Sequence, residues 1–126
     1  MNMFKKVQEE NPNIKDSEVT NVLGEHGVED INDYLIFSDK KDRKTFLKTY
    51  EVLKDKNTIT FKEDEQTLIA QTIDGDYVIS SLDGIRVVDV SLDKNIEEFY
   101  EGYTSLEFLS EYVDGKIKSN ILAPME

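Results

Sequence analysis

Residues Leu68–Val90 read LIAQTIDGDYVISSLDGIRVVDV, and they contain three β-rich runs separated by two Asp-Gly pairs. An Asp-Gly pair between strands is a strong hairpin signal, because both residues reach positive φ at low cost. We therefore predict turns at Asp74-Gly75 and Asp83-Gly84 that join three antiparallel strands. Leu68 and Ile69 point to opposite faces of the first strand, so neither face is wholly polar. Flanking helices are expected to cover part of both sides.

The flanking sequence supplies mainly helical patterns. Thr104 and Glu107 have the spacing of a capping box, which predicts the start of a final helix at this point. Residues 45–56 suit either a helix or a strand, and helix is preferred because their apolar side chains recur at helical spacing. The other predicted elements are helices at 1–10, around 17–23 and at 30–37, a solvated connection at 38–44, a short strand at 58–61, and a helix-like stripe formed by Ile96, Phe99, Tyr100 and Tyr103.

Together these patterns predict an α+β fold. Its sheet is antiparallel or mixed, with the meander at about residues 67–90 and with helices on the N-terminal and C-terminal sides. A chain of 126 residues fits one domain, so we expect a single domain over residues 1–126. Its core is expected at about 17–114, and residues 1–15 are a candidate for fraying.

Composition limits the classes of function. Charged residues make up 33% and hydrophobic residues 38%, which is typical of a globular protein. The absence of cysteine excludes a disulfide framework and a thiolate metal site. No apolar run is long enough to cross a bilayer and no signal-peptide pattern is seen, so no membrane association is predicted and a cytoplasmic location is expected.

Negative charge is concentrated in the second half of the chain. The net charge is −12, and residues 61–126 hold 15 acids against 5 bases, whereas residues 1–60 hold 12 acids and 10 bases. Such a field repels nucleic-acid phosphate and anionic membranes, and it speeds encounter with a basic protein. We therefore predict a basic protein partner and no direct binding of nucleic acid.

Candidate catalytic and metal-binding patterns are weak. His26 lies between Gly24 and Gly27, but no nucleophile or orienting residue can be assigned to it from the sequence, so a turn is the preferred reading. The acids around Asp74 and Asp76 lack the order of ligands that a calcium loop needs. The pair Glu97-Glu98 is interpreted as a solvated face. The expectation is a protein that is not an enzyme and has no cofactor and no metal site.

The last third of the chain resembles the SUKH superfamily. The resemblance rests on the acidic strand entry at 74–79, the following strand at 85–90, an acidic connection, and the segment 105–109 that opens a terminal helix. Upstream, Ile31, Tyr34 and Phe37 occupy positions where that family carries a Leu-Pro-x-x-Tyr-x-x-Phe helix entry. The likeness covers roughly residues 17–114. The chain departs from the family pattern at Asn32, where proline is usual, and it lacks the family's frequent tryptophan.

The resemblance implies an α+β fold and a role in binding. Bacterial members are commonly immunity proteins that neutralise a co-encoded toxin, often a nuclease, whose phosphate-binding surface is basic. Charge density then predicts a partner-binding surface with tyrosine anchors. An acidic inhibitor that mimics nucleic acid, or another regulatory interaction module, is the alternative. The predicted partner-binding residues are Asp74, Asp76, Tyr77, Asp83, Asp89, Asp93, Glu97, Glu98, Tyr100 and Glu101.

Overall fold

The structure is a computed structural model that describes residues 2–125. Within these residues it contains four α-helices and six β-strands. The helices are α1 (Met3–Glu10), α2 (Asp16–Glu25), α3 (Lys40–Leu53) and α4 (Ser105–Val113). The strands are β1 (Asp30–Ile31), β2 (Leu35–Phe37), β3 (Thr67–Thr72), β4 (Tyr77–Ser81), β5 (Gly84–Val88) and β6 (Glu98–Glu101).

The strands form one open sheet in the order β1-β2-β3-β4-β5-β6, and every neighbouring pair is antiparallel. Each strand therefore lies beside the one that precedes it in sequence, and the chain turns at alternating ends of the sheet. The predicted α+β fold and the predicted meander of three strands are both confirmed. Of the two sheet types left open by the sequence, the antiparallel one is formed.

Both faces of the central strands are buried. Val78 points into the larger cluster of core residues, which packs under α1, α2 and α4, while Ile79 points into a second cluster with Phe46 of α3 and Leu92. Burying a side chain of this size contributes about 1.5–3 kcal/mol. Successive apolar residues of β4 point to opposite faces of the sheet, and helices pack against each face to bury them.

The core extends beyond the predicted limits of 17–114. Phe4 and Val7 of α1 are buried against α4, and Leu122 near the C-terminus belongs to the same cluster. Asn2 caps α1 by accepting from the backbone N–H of Lys5, and its amide donates to Ser110 of α4. The first turn of α1 is therefore anchored to the domain.

The helix predicted at 30–37 is wrong, because β1 and β2 form a hairpin there. Asn32 and Asp33 sit at its turn with φ of 54° and 55°, the left-handed conformation that a type I′ turn requires at both central residues. Pairing with β3 buries Leu35 and Phe37 on one face. The spacing of apolar residues in this segment fits both a helix and a strand, and pairing with β3 selects the strand.

The segment 38–56 also differs from the prediction. Residues 38–44 are not a solvated connection, because α3 already begins at Lys40 with a reciprocal capping box between Asp39 and Asp42. The helix preferred for 45–56 is confirmed as far as Leu53. The strand predicted at 58–61 is reduced to an isolated bridge between Thr58 and Asp93.

The helix-like stripe predicted after residue 90 is the edge strand β6, whose register with β5 places Tyr100 opposite Ile85. The turn between β4 and β5 lies one residue earlier than predicted, with Leu82 and Asp83 in the centre and Gly84 already in β5. The predicted capping box of α4 is confirmed, because Thr104 and Glu107 exchange both hydrogen bonds at 3.3 Å.

The close approach of β6 to Gly84 gives a stability test. A Cβ at this position would overlap the carbonyl oxygen of Tyr100, and φ is +153°. We expect Gly84→Ala to lower the free energy of unfolding by at least about 2 kcal/mol, measured by urea denaturation. The control is Gly24→Ala in α2, where nothing lies within 4 Å of the added methyl group. That change should raise stability by up to about 1 kcal/mol, and equal effects of the two substitutions would contradict the packing described.

Candidate interaction surface

Because neighbouring strands are antiparallel, successive connections lie at opposite ends of the sheet, and each end carries different loops. We call the end formed by the start of β3, the β4–β5 turn and the end of β6 the hairpin end. The opposite end, formed by the β3–β4 turn and the end of β5, is called the far end. Five residues of β5 separate them, which corresponds to roughly 15 Å.

The ten residues predicted to bind a partner do not form one surface. Asp83 and Glu101 lie at the hairpin end, whereas Asp74, Asp76 and Asp89 lie at the far end. Of the remaining five, Tyr77 begins β4, and Asp93 and Glu97 lie in the connection between β5 and β6. Glu98 pairs with Val87 near the far end, whereas Tyr100 pairs with Ile85 nearer the hairpin end. Proximity in sequence therefore misled the prediction, because each turn of the meander sends the chain back across the sheet.

Asp76 and Tyr77 are buried and are not available to a partner. The Asp76 carboxylate accepts from the backbone N–H of Val90 at 3.0 Å, which fixes the chain after β5. The ring of Tyr77 packs edge-on against Phe46 with centroids 4.9 Å apart. Tyr77 is thus a core residue beneath α3, and the prediction that it anchors a partner is corrected on this point.

Asp89 and Asp93 stabilise the turns that follow β5. Asp89 accepts from the hydroxyl and the backbone N–H of Ser91, and these bonds hold the pKa of the Asp89 carboxyl below its ordinary value. Asp93 accepts from the backbone N–H of Asn95 at 2.8 Å. Both carboxylates therefore stabilise local turns, and this role does not require a binding partner.

Glu97 pairs with Arg86, the one arginine of the acidic half. The distance between Arg86 Nη1 and Glu97 Oε1 is 2.8 Å, and the guanidinium lies 4.3 Å from the centre of the Phe99 ring. Asp83 also approaches Arg86, at 3.4 Å. Glu97 is therefore largely neutralised where it stands.

Glu98 and Tyr100 hold the C-terminal segment against β6. The Glu98 carboxylate accepts from the hydroxyl of Ser119 and, at 2.7 Å, from the backbone N–H of Asn120. The Tyr100 hydroxyl lies 2.9 Å from the carbonyl oxygen of Lys118, and its ring packs against Phe108. These contacts assign both side chains to the fold, which also removes Tyr100 from the predicted anchors.

A groove at the hairpin end is lined by acidic residues, most of which were not among the predicted partner-binding residues. Its volume is about 560 Å³, and its charged lining consists of Lys15 against five acids. These acids are Asp16, Glu63, Asp64, Glu65 and Asp83. The charged turn at 62–66 was visible in the sequence, but its position beside the β4–β5 turn follows only from the register of β3 with β4.

Leu82 lies at the tip of the β4–β5 turn, on the rim of this groove, and its side chain is 84% exposed. Asp16 contributes less free charge than its neighbours, because its carboxylate accepts from the Ser80 hydroxyl and the Ser105 N–H. Glu63, Asp64 and Glu65 are exposed. The hairpin end therefore presents free carboxylates around an exposed apolar side chain, a combination suited to a basic partner with an apolar contact.

A second concavity on the other side of the same turn has a balanced charge. It measures about 820 Å³, and its lining includes four acids and four bases. The bases are Lys56, Lys62, Arg86 and Lys94, of which Arg86 is paired as described and Lys94 donates to a backbone carbonyl. Of these two concavities, the smaller one therefore carries the excess of negative charge.

His26 lies at the C-terminal end of α2, where its backbone N–H donates to carbonyls of the last turn. Gly27 follows with φ of +76° and ends the helix. Among residues 2–125 no three His, Asp or Glu side chains are arranged so that they could hold a metal ion. The same part of the chain contains no helix with the length and apolar character needed to span a bilayer.

Comparison of the chain with family models, with curated proteins and with solved structures gave no match.

Tyr112, which is buried, and Tyr100, which is partly buried, predict a fall in stability at alkaline pH. Burial is the main cause that raises the pKa of Tyr100 and of Tyr112 from 10.0 to about 12. A raised pKa in the folded state stabilises the neutral phenol, so this contribution is complete below pH 10 and is lost as pH rises toward 12. We expect the free energy of unfolding to fall over this interval, and to fall less in Tyr100→Phe. Urea titrations from pH 8 to 12 measure it, and an identical fall in the variant would contradict the assignment.

Proposed function

We propose that this chain is a non-enzymatic binding protein that neutralises a basic protein partner by covering its cationic surface. The observation that carries the proposal is the groove at the hairpin end, where five acids face one lysine beside an exposed leucine. Opposed charges accelerate association and discriminate between partners, whereas a central apolar contact supplies affinity. Both components are present on one end of the sheet.

The class of partner that we propose is a co-encoded toxin, often a nuclease, as the resemblance to the SUKH superfamily implies. That resemblance rests on the meander with its acidic turns and on the terminal helix α4 that follows it. A nuclease binds phosphate through lysine and arginine side chains. An acidic surface that occupies those side chains would exclude the nucleic acid without any chemistry of its own.

The proposed contact surface is narrower than the one predicted from charge density. From the predicted set it keeps Asp83 and Glu101, which lie together because Gly102 N–H donates to the Asp83 carbonyl at 2.9 Å. The acids at 63–65 and the side chain of Leu82 complete it. Asp74 is exposed as well, but it lies at the far end and serves as a natural control.

Co-expression tests the function itself. Each reading frame adjacent to the gene of this protein is expressed in a bacterial host with and without the chain, and growth is followed. We expect one neighbour to be toxic alone, to be tolerated with the chain, and to co-purify with it in a complex that dissociates at high salt. If no basic partner is retained at low salt, the proposal is contradicted.

Matched charge reversals test the location of the surface. Asp64→Lys and Asp74→Lys change the net charge equally, but only the first lies in the groove at the hairpin end. We expect Asp64→Lys to weaken binding of the co-purifying partner at least about 10-fold, and Asp74→Lys to weaken it less than about 3-fold. Calorimetric titration at two salt concentrations measures both, and equal effects would show that net charge alone governs binding.

A further inference from the structure

Strand β6 leaves one edge of the sheet open. The register pairs Ile85 with Tyr100, and Gly102 N–H donates to the Asp83 carbonyl two residues further along. Hydrogen-bonded and non-hydrogen-bonded pairs alternate in an antiparallel ladder. Glu98 and Tyr100 therefore bond to β5, whereas Phe99 and Glu101 direct their N–H and C=O groups away from the sheet.

Those outward groups have no hydrogen-bond partner among residues 2–125. Within residues 2–125, the hydrogen bonds between the C-terminal segment and β6 all involve the side chains of Glu98 and Tyr100, which contact residues 118–120. A row of unpaired backbone groups is a template for another strand. The opposite edge strand, β1, has two residues, so β6 is the longer template.

The side chains of β6 select the kind of strand that can pair there. Glu101 is exposed and makes no ion pair in the described part of the chain. Phe99, on the same face, is 41% exposed beside the Arg86 guanidinium. Like charges on opposed strands are unfavourable, and a second copy of this chain would bring its own net charge of −12. Charge repulsion therefore disfavours pairing of β6 with a second copy of this chain, whereas a strand with cationic side chains can pair there.

We propose that an extended segment of a basic partner adds to the sheet beside β6. Such a segment places lysine or arginine opposite Glu101 and an apolar side chain opposite Phe99, two residues away on the same face. Main-chain hydrogen bonds to Phe99 and Glu101 give affinity, and the alternating side chains give specificity. This inference rests on the proposed function for the charge of the partner, and it adds the way in which the partner is held.

The test separates the backbone donor from the carboxylate at one position. Glu101→Pro removes both the outward N–H and the charge, whereas Glu101→Gln removes only the charge. Proline is tolerated on an edge strand where its missing N–H faces solvent, so the bonds between β5 and β6 should persist. Amide NMR spectra of the two variants check that the fold is retained.

The probe is the capped peptide Thr-Lys-Thr-Val-Thr-Lys-Thr-Val, which places lysine and valine alternately on one face. At low salt we expect it to bind the unaltered protein and to slow amide exchange at Phe99 and Glu101. We expect Glu101→Pro to weaken binding at least 10-fold and Glu101→Gln less than 3-fold.

Equal weakening by the two variants, absence of binding to the unaltered protein, or protection confined to the far end would each overturn strand addition. Strand addition by a basic partner would also be overturned if β6 pairs with a second copy of the chain. Sedimentation would then show dimers that Glu101→Pro abolishes. The co-expression experiment does not use this peptide, so the two proposals are tested independently. The proposed function can hold when strand addition is disproved, and the co-expression result can disprove the function regardless of the peptide result.

Discussion

The antiparallel pairing of β3, β4 and β5 gives the sheet apolar side chains on both faces, and this determines where the helices pack. Val78 and Ile79 are adjacent in β4, and each is almost completely buried in a different cluster. Helices on both sides are therefore required. Helices α1, α2 and α4 cover one face, and α3 covers the other together with Ile59 and Leu92 from the segments that connect the strands.

Burial on both faces of the sheet limits where a partner can bind. A carboxylate beside the central strands is recruited by the fold, as Asp76 is by the N–H of Val90 and Glu98 by the C-terminal segment. The exposed carboxylates of Glu63, Asp64 and Glu65 lie instead on the turn before β3. Five acids line one groove at the hairpin end, because the turn before β3, the β4–β5 turn and the end of β6 converge there.

Local signals predicted the parts of the fold that are encoded locally. The capping box at Thr104 and the β-rich runs of the meander each specify their structure within a few residues, and both are formed. The segments at 30–37 and 96–103 could not be assigned in this way. Their apolar residues fit a helical period, yet Leu35 and Tyr100 are fixed by strands distant in sequence, and register with a neighbour is not visible in a single segment.

The same limitation affected the candidate site. Linear density of acids identified the acidic half correctly but not its geometry, and Glu63–Glu65 entered the surface only through the pairing of β3 with β4. We propose that a basic partner binds at the hairpin end. Amide hydrogen exchange of this chain, alone and in complex with the partner encoded beside it, locates the contact. We expect slowed exchange at 63–67, 82–84 and 99–104, whereas protection restricted to 73–76 and 89–95 would show that the partner binds at the far end instead.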